Sequence, residues 1–209
     1  MTKFFTFCVC LLSAFVVGCS HKGVVRTVSA TNVYSGHDEK HQKPVTYLVD
    51  DTSLTKLQKD DAVKGFLCGG HRFPVDAGEA FVASVPSLME SVFDDFSQSG
   101  AAQQGKVQFV FRIERFDPRV KFTDKFFSAD ADATVDLGIS VVATLDGRRV
   151  FGTAVDTQRS KSGDAGPMCA GGAEVLSDAM ADAIKDVLEK AGERIANSQQ
   201  LRELTKRPR

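Results

Sequence analysis

Two histidines four residues apart, in His37-Asp38-Glu39-Lys40-His41, have the spacing with which one helix face grips a zinc ion. Zinc proteases built on that spacing need a glutamate directly after the first histidine, and Asp38 stands there instead. The stretch also reads as polar linker, which would not hold ligands in place, so no metal is expected. Ser53-Leu54-Thr55-Lys56 and Lys161-Ser162-Gly163 each set a serine near a lysine, the arrangement in which the amine takes the proton of a hydroxyl nucleophile. That chemistry belongs to a much larger two-part fold, and Lys161 falls in what reads as a loop. Gly163, Gly166, Gly171 and Gly172 would suit an anion nest before a helix, but no Gly-Lys-Thr/Ser pattern accompanies them. They read as a mobile connection. No Gly-x-Ser-x-Gly element is present, and the titratable residues form no catalytic set, so neither enzyme activity nor a cofactor is expected.

Arg115-Phe116-Asp117-Pro118-Arg119-Val120-Lys121-Phe122-Thr123-Asp124-Lys125-Phe126-Phe127 is rich in both phenylalanine and cations. Exposed aromatic clusters mark interaction surfaces, so Phe122, Phe126 and Phe127, with Arg119 and Lys121 beside them, are candidates for contact with a partner or membrane. The competing arrangement extends the flanking strands and folds the rings into the core.

The chain begins with a polar start carrying Lys3, then runs without charge from Phe4 through Val17 to Gly18-Cys19-Ser20. That is the layout of an export signal. A permanent membrane span needs about 20 apolar residues, and the run stops short of that, so residues 1–18 are expected to be removed. Val16-Val17-Gly18-Cys19 resembles the lipobox of bacterial lipoproteins, in which two aliphatic residues and a small one precede a cysteine that receives diacylglycerol before cleavage. The resemblance implies acyl chains, palmitate among them, on Cys19 and a membrane anchor there. Ser20 rather than Asp at the second mature position implies the outer membrane, facing the periplasm. Of five cysteines, Cys8 and Cys10 leave with the leader and Cys19 takes lipid. Cys68 and Cys169 then remain as thiols in an oxidising compartment and are expected to pair. Each stands shortly before a helix-like segment, so the bond would clamp two helix starts.

The 209 residues carry a net charge of -1, unevenly spread: residues 20–43 sum to +2, residues 202–209 to +3, and residues 44–201 to -7. An acidic body with basic ends does not suit nucleic acid. Hydrophobic content of 43% is that of a globular protein.

Residues 19–43 are polar and show no sustained period, which reads as the lipidated cysteine and a flexible tether. A single domain is expected over residues 44–197, with a basic tail over 198–209. Val45 to Val49 is a first strand, and a short extended piece follows near Gly65 to Phe73. Asp76 and Glu79 have capping-box spacing, and Phe81, Val85, Leu88, Val92 and Phe96 then recur at helical steps, interrupted by Pro86, where a kink or a late start is expected. Residues 106–116 and 131–145 alternate as half-buried strands. At Asp146-Gly147 a three-residue loop is favoured, setting Val141 opposite Phe151, Ile139 opposite Thr153 and Leu137 opposite Val155. A loop over 160–172 precedes the clearest helix, residues 173–196, with Leu176, Met180, Ile184, Val187, Ala191 and Ile195 as its buried stripe.

This order predicts an α+β fold: a largely antiparallel four- to five-stranded sheet with two helices packed on one face. At this level the chain looks like domains of envelope-assembly lipoproteins, and the stretch from Cys68 to Phe96 resembles a recurring segment of bacterial lipoproteins. The resemblance implies a fold and an address; the leading functional expectation is a non-catalytic, periplasm-facing accessory or assembly factor of a cell-envelope complex, docking through a sheet edge or the Phe-rich loop to an unidentified envelope protein. The alternative is a binding module for a small apolar or lipid ligand between sheet and helices.

Overall fold

The computed structural model describes residues 19–60, 63, 68–125 and 128–206. Its elements are β1 (Val45–Val49), α1 (Asp51–Leu54), β2 (Gln58–Lys59), β3 (Val75–Asp76), α2 (Gly78–Val92), β4 (Phe96–Gln98), β5 (Val107–Asp124), β6 (Ala129–Leu145), β7 (Arg148–Asp164), α3 (Gly171–Ala196) and α4 (Gln199–Thr205). The main sheet has the order β4-β1-β5-β6-β7, and β2 and β3 form a separate pair.

The sheet is largely antiparallel, as expected, but not purely so: it is mixed. β1 runs parallel to both β4 and β5, whereas β5, β6 and β7 form an antiparallel meander. The reason is α2, which carries the chain back across the layer so that β4 re-enters in the direction of β1; a helical crossover makes a parallel pair. Phe96, placed on the helix by its spacing, belongs to β4. Pro86 sits inside α2, which begins at Gly78 with Asp76 Oδ1 accepting its first free N–H; the helix does not start late.

The meander strands are 17 or 18 residues long, roughly 55 Å each, and position everything else. Along β6 the odd-numbered residues from Ala129 to Ala143 are buried. β5 presents Val107, Phe109, Phe111 and Ile113 to the same core, then shifts register between Ile113 and Arg115. Beyond this bulge the even-numbered residues point inward, so Phe116 and Val120 become half-buried and Phe122 buried. The bulge lies where β1 has ended. There Ser53 Oγ accepts from the Ile113 N–H (3.0 Å) and Lys56 Nζ donates to the Ile113 carbonyl (2.8 Å), replacing the missing ladder. Ser53 and Lys56 thus hold backbone.

The β6–β7 connection is a two-residue turn, with Asp146 and Gly147 both in the left-handed region (φ 50° and 79°). A bulge after Ala143 then sets Val141 opposite Thr153, Ile139 opposite Val155 and Leu137 opposite Thr157. The inward parity matches the sequence expectation, but the pairing is displaced by two residues, one from the tight turn that replaces the three-residue loop and one from the bulge. β7 extends to Asp164, which places Lys161 on a strand, paired with Asp182 of α3 at 2.8 Å.

All six residues of the stripe assigned to α3 are buried, and so are Ser177, Ala181, Leu188 and Gly192. Part of the extra burial comes from residues 20–43, expected as a tether but packed here on the helices: Gly23 lies against Ser177 and Val33 against Gly192. The segment runs as an extended strap along the two long helices. The Val28 N–H donates to Ser84 Oγ (3.0 Å) and the Ala30 N–H to Ser87 Oγ (2.9 Å), both on α2. The Asn32 N–H donates to Glu189 Oε1 on α3 (3.0 Å), and the Gly36 N–H to Asn197 Oδ1 (2.8 Å). Gly23 passes so close to the first turn of α3 that a Cβ there would stand 2.5 Å from the Ala173 carbonyl. Native-state hydrogen exchange should therefore find the Val28 and Ala30 amides protected in the parent and released in Gly23→Val. Free exchange of both amides in the parent would contradict the docked strap.

The basic tail is likewise folded as far as Thr205: α4 is capped by Ser198, and Leu201 and Thr205 are buried. Arg202 donates to the Ala196 and Glu39 carbonyls at 2.9 and 3.0 Å, tying the strap's end to α3.

Candidate membrane-anchoring pole

Cys19, the first described residue, is partly exposed, and its thiol is free. Its peptide is not free. The Arg72 N–H donates to the Cys19 carbonyl (3.1 Å), and the His21 N–H donates to the Arg72 carbonyl (2.9 Å), so residues 19–21 add a short parallel bridge beside residue 72. The Arg72 guanidinium makes a two-pronged ion pair with Asp60, at 2.9 and 2.8 Å. The His21 ring stacks on His71 with centroids 5.1 Å apart and lies within hydrogen-bond distance of it, Nε2 to Nδ1 at 2.8 Å. Phe73 packs against His21 on one side and Phe122 on the other, both at 5.4 Å. None of these contacts involves residues 1–18.

Cys68 and Cys169 are joined by a disulfide, with Cα atoms 5.9 Å apart. It fixes one helix start rather than two: Cys169 lies in the 3-10 turn Pro167–Cys169 directly before α3, whereas Cys68 lies in the loop that leads to His71, ahead of β3. The Cys68 carbonyl accepts from the His71 N–H (3.3 Å), so the bond links the start of α3 to the residues that hold Cys19. The glycines around it serve packing. The Gly166 N–H is taken by Asp164 Oδ1 and the Gly171 N–H by the Ala165 carbonyl, which leaves neither for an anion. A Cβ on Gly172 would run into the ring of Phe122.

Phe122 is therefore not part of an exposed aromatic cluster; the β5 bulge turns it inward against Phe73 and Gly172. Phe126 and Phe127 lie outside the described residues. Arg119 and Lys121 are exposed on the opposite, outer face of β5, where Arg119 bonds Asp136 and also pairs with Asp117 at 3.3 Å. Phe122→Ala should cost about 3 kcal/mol in urea unfolding, the usual loss for emptying a buried phenylalanine site. A change under about 0.5 kcal/mol, typical of surface substitutions, would place the ring outside the core after all.

His41 serves structure, at the far end of the strap. Its ring is buried against Phe93, with Nδ1 2.7 Å from Thr205 Oγ1 and Nε2 3.2 Å from the Ile195 carbonyl. The carbonyl can only accept, so Nε2 carries the hydrogen, and the single Thr205 hydroxyl proton is shared between Nδ1 and the Leu201 carbonyl, also 2.7 Å away. Burial, assisted by the nearby Arg202 charge and His37, pulls the ring from its ordinary 6.5 down to about 4, against the opposing effect of the Ile195 bond. Between these values the unfolded chain binds the proton and the folded one does not, so stability falls as pH drops through that window. We expect His41 to account for about 3 kcal/mol lost between pH 7 and pH 4, read from unfolding curves. His41→Gln should flatten the acid slope by that amount; an unchanged slope would contradict the assignment.

No helix among the described residues is long and apolar enough to cross a membrane. No family model and no curated protein matches the sequence. Among solved structures, the chain is similar to a DUF330-family protein from Xanthomonas campestris, at 11% identity over 85% of this chain and 94% of that one, with a TM-score of 0.44. It is also similar to a minor lipoprotein from Acinetobacter baumannii, at 12% identity over 74% of this chain and 90% of that one, with a TM-score of 0.36.

Proposed function

We propose that this chain is a lipid-anchored protein of the bacterial cell envelope, held at the outer membrane by acyl chains on Cys19. It acts there, facing the periplasm, as a non-catalytic accessory or assembly factor of a larger envelope complex. The observation that carries the reading is the apolar run ending in Val16-Val17-Gly18-Cys19, with the Cys19 carbonyl bonded to the Arg72 N–H. The partner surface we assign is the outer face of the meander together with the edge of β7. The even-numbered residues of β7 from Gly152 to Asp164 are exposed, and Arg119 and Lys121 border them across β6. A 17-residue edge strand is a template for pairing with another chain, and the charges of Arg148, Arg149, Arg159 and Lys161 restrict which chain can use it. The space between sheet and helices is filled by Phe81, Leu88, Phe109, Phe111, Ile139 and Ile184, which favours an accessory role over an apolar-ligand carrier.

Photo-crosslinking in intact cells from Lys121 and from Gln158, with Tyr34 on the strap as control, tests the assignment. A discrete adduct with one envelope protein from the two sheet positions and not from Tyr34 is the expected result. Identical patterns from all three positions would overturn the assigned surface.

A further inference from the structure

The docked strap leaves no spacer between the acyl-bearing residue and the folded body. We propose that the Cys19 pole lies directly on the lipid surface, with Met168 and Val24 entering the headgroup–acyl boundary beside the anchor; this rests on the lipid anchor proposed above.

Cys19 is fastened to Arg72, and Arg72 is adjacent to Phe73, which packs on Phe122 at the far end of β5. The anchor therefore leaves the protein at the end of the meander where β5 turns into β6 and α3 begins. A flexible tether would let the domain turn any face to the membrane, whereas a fastened anchor presents only this one. Three large apolar side chains stand well exposed among the described residues, and two of them belong to this end: Met168 at 70% and Val24 at 86%. Met168 lies in the turn that leads into α3, and Val24 follows Gly23, which packs on the first turn of the same helix. The third, Tyr34, lies two residues from Gly36, which bonds Asn197 at the other end of α3.

Met168 is also held at a cost. It and Cys169 are consecutive non-glycine residues in the left-handed region, with φ of 51° and 64°. Side chains there crowd the following carbonyl, and such conformations persist where the surroundings impose them and commonly mark functional positions. Cys169 is tied by the disulfide to the loop that leads to Arg72, and Met168 beside it stands exposed at this end. Lys22, exposed and three residues from Cys19, supplies a cation at headgroup level. Unbranched methionine adapts to irregular apolar surroundings, which suits a lipid surface. The contact adds to the anchor and orients the domain, presenting the assigned sheet face to one side.

The test uses the acylated protein with methyl-labelled methionine in nanodiscs of phosphatidylethanolamine and phosphatidylglycerol containing a lipid spin-labelled near the top of its acyl chain. Met89 and Met180 are fully buried and serve as internal references. The Met168 methyl signal is expected to lose most of its intensity to the spin-labelled lipid and to be shielded from a water-soluble gadolinium chelate, relative to the Cys19→Ala protein free in solution. If acyl chains are present on Cys19 by mass and Met168 remains untouched by the lipid label and open to the chelate, the contact is wrong and the anchor stands. If the purified protein carries no acyl chain, both fall together.

Discussion

Exported behind an ordinary cleavable leader in place of residues 1–18, the Cys19→Ala chain is expected to leave the membrane fraction and be recovered in the soluble periplasm, folded as before. The folded part should not notice the change, because Cys19 contributes its carbonyl, not its side chain, to the bridge with Arg72. Each buried CH₂ of an acyl chain contributes about 0.8 kcal/mol, and a single fourteen-carbon chain gives only marginal binding, so a diacylglyceryl group provides most of the hold. Two apolar side chains cannot replace it. The expected drop in membrane partitioning is therefore on the order of a thousandfold or more, measured by fractionation against the parent. Equal membrane retention of the two would show that the protein is held by something other than lipid on this cysteine.

Removal of the disulfide by Cys68→Ala with Cys169→Ala is the substitution expected to cost most in stability. The two residues are 101 positions apart in sequence. A loop of that size corresponds to about 4.7 kcal/mol in the chain-entropy account, and loss of a native disulfide commonly costs about 2 to 5 kcal/mol. We expect about 4 kcal/mol by urea unfolding, with a similar loss when the parent is reduced. Part of the effect should be local, since the bond links the start of α3 to the loop that positions His71 and Arg72. A loss below about 1 kcal/mol would mean that the bond closes no costly loop.

How legible each element was depended on whether one periodicity explained its burial. α3 was readable because a single helical stripe, Leu176 to Ile195, faces the sheet along its whole length. The first half of β5 and most of β6 were readable because strict alternation matches one covered face. Phe122 was not, because the bulge between Ile113 and Arg115 exchanges inward and outward positions, and nothing local marks it; its cause is Ser53 and Lys56, 60 residues away in the first case. β4 escaped because a three-residue strand carries too little pattern, and with it the mixed character of the sheet. The strap was the largest omission. Val25, Val28, Ala30 and Val33 bury at irregular steps because the strap lies between two helices rather than in a sheet, and its amides bond side chains such as Ser84 and Ser87 instead of a strand partner. The candidate site divides the same way. Cys19 and the Cys68–Cys169 pair were visible as residue types, but that the three belong to one end of the fold depends on the pairing of residues 19–21 with Arg72.

The most direct test is the mass of the first tryptic peptide of the mature protein, Cys19-Ser20-His21-Lys22, recovered from membranes. This peptide is expected to carry diacylglycerol on the cysteine sulfur, with no residue preceding it. A chain that starts elsewhere, or a Cys19 bearing an unmodified thiol, would contradict it.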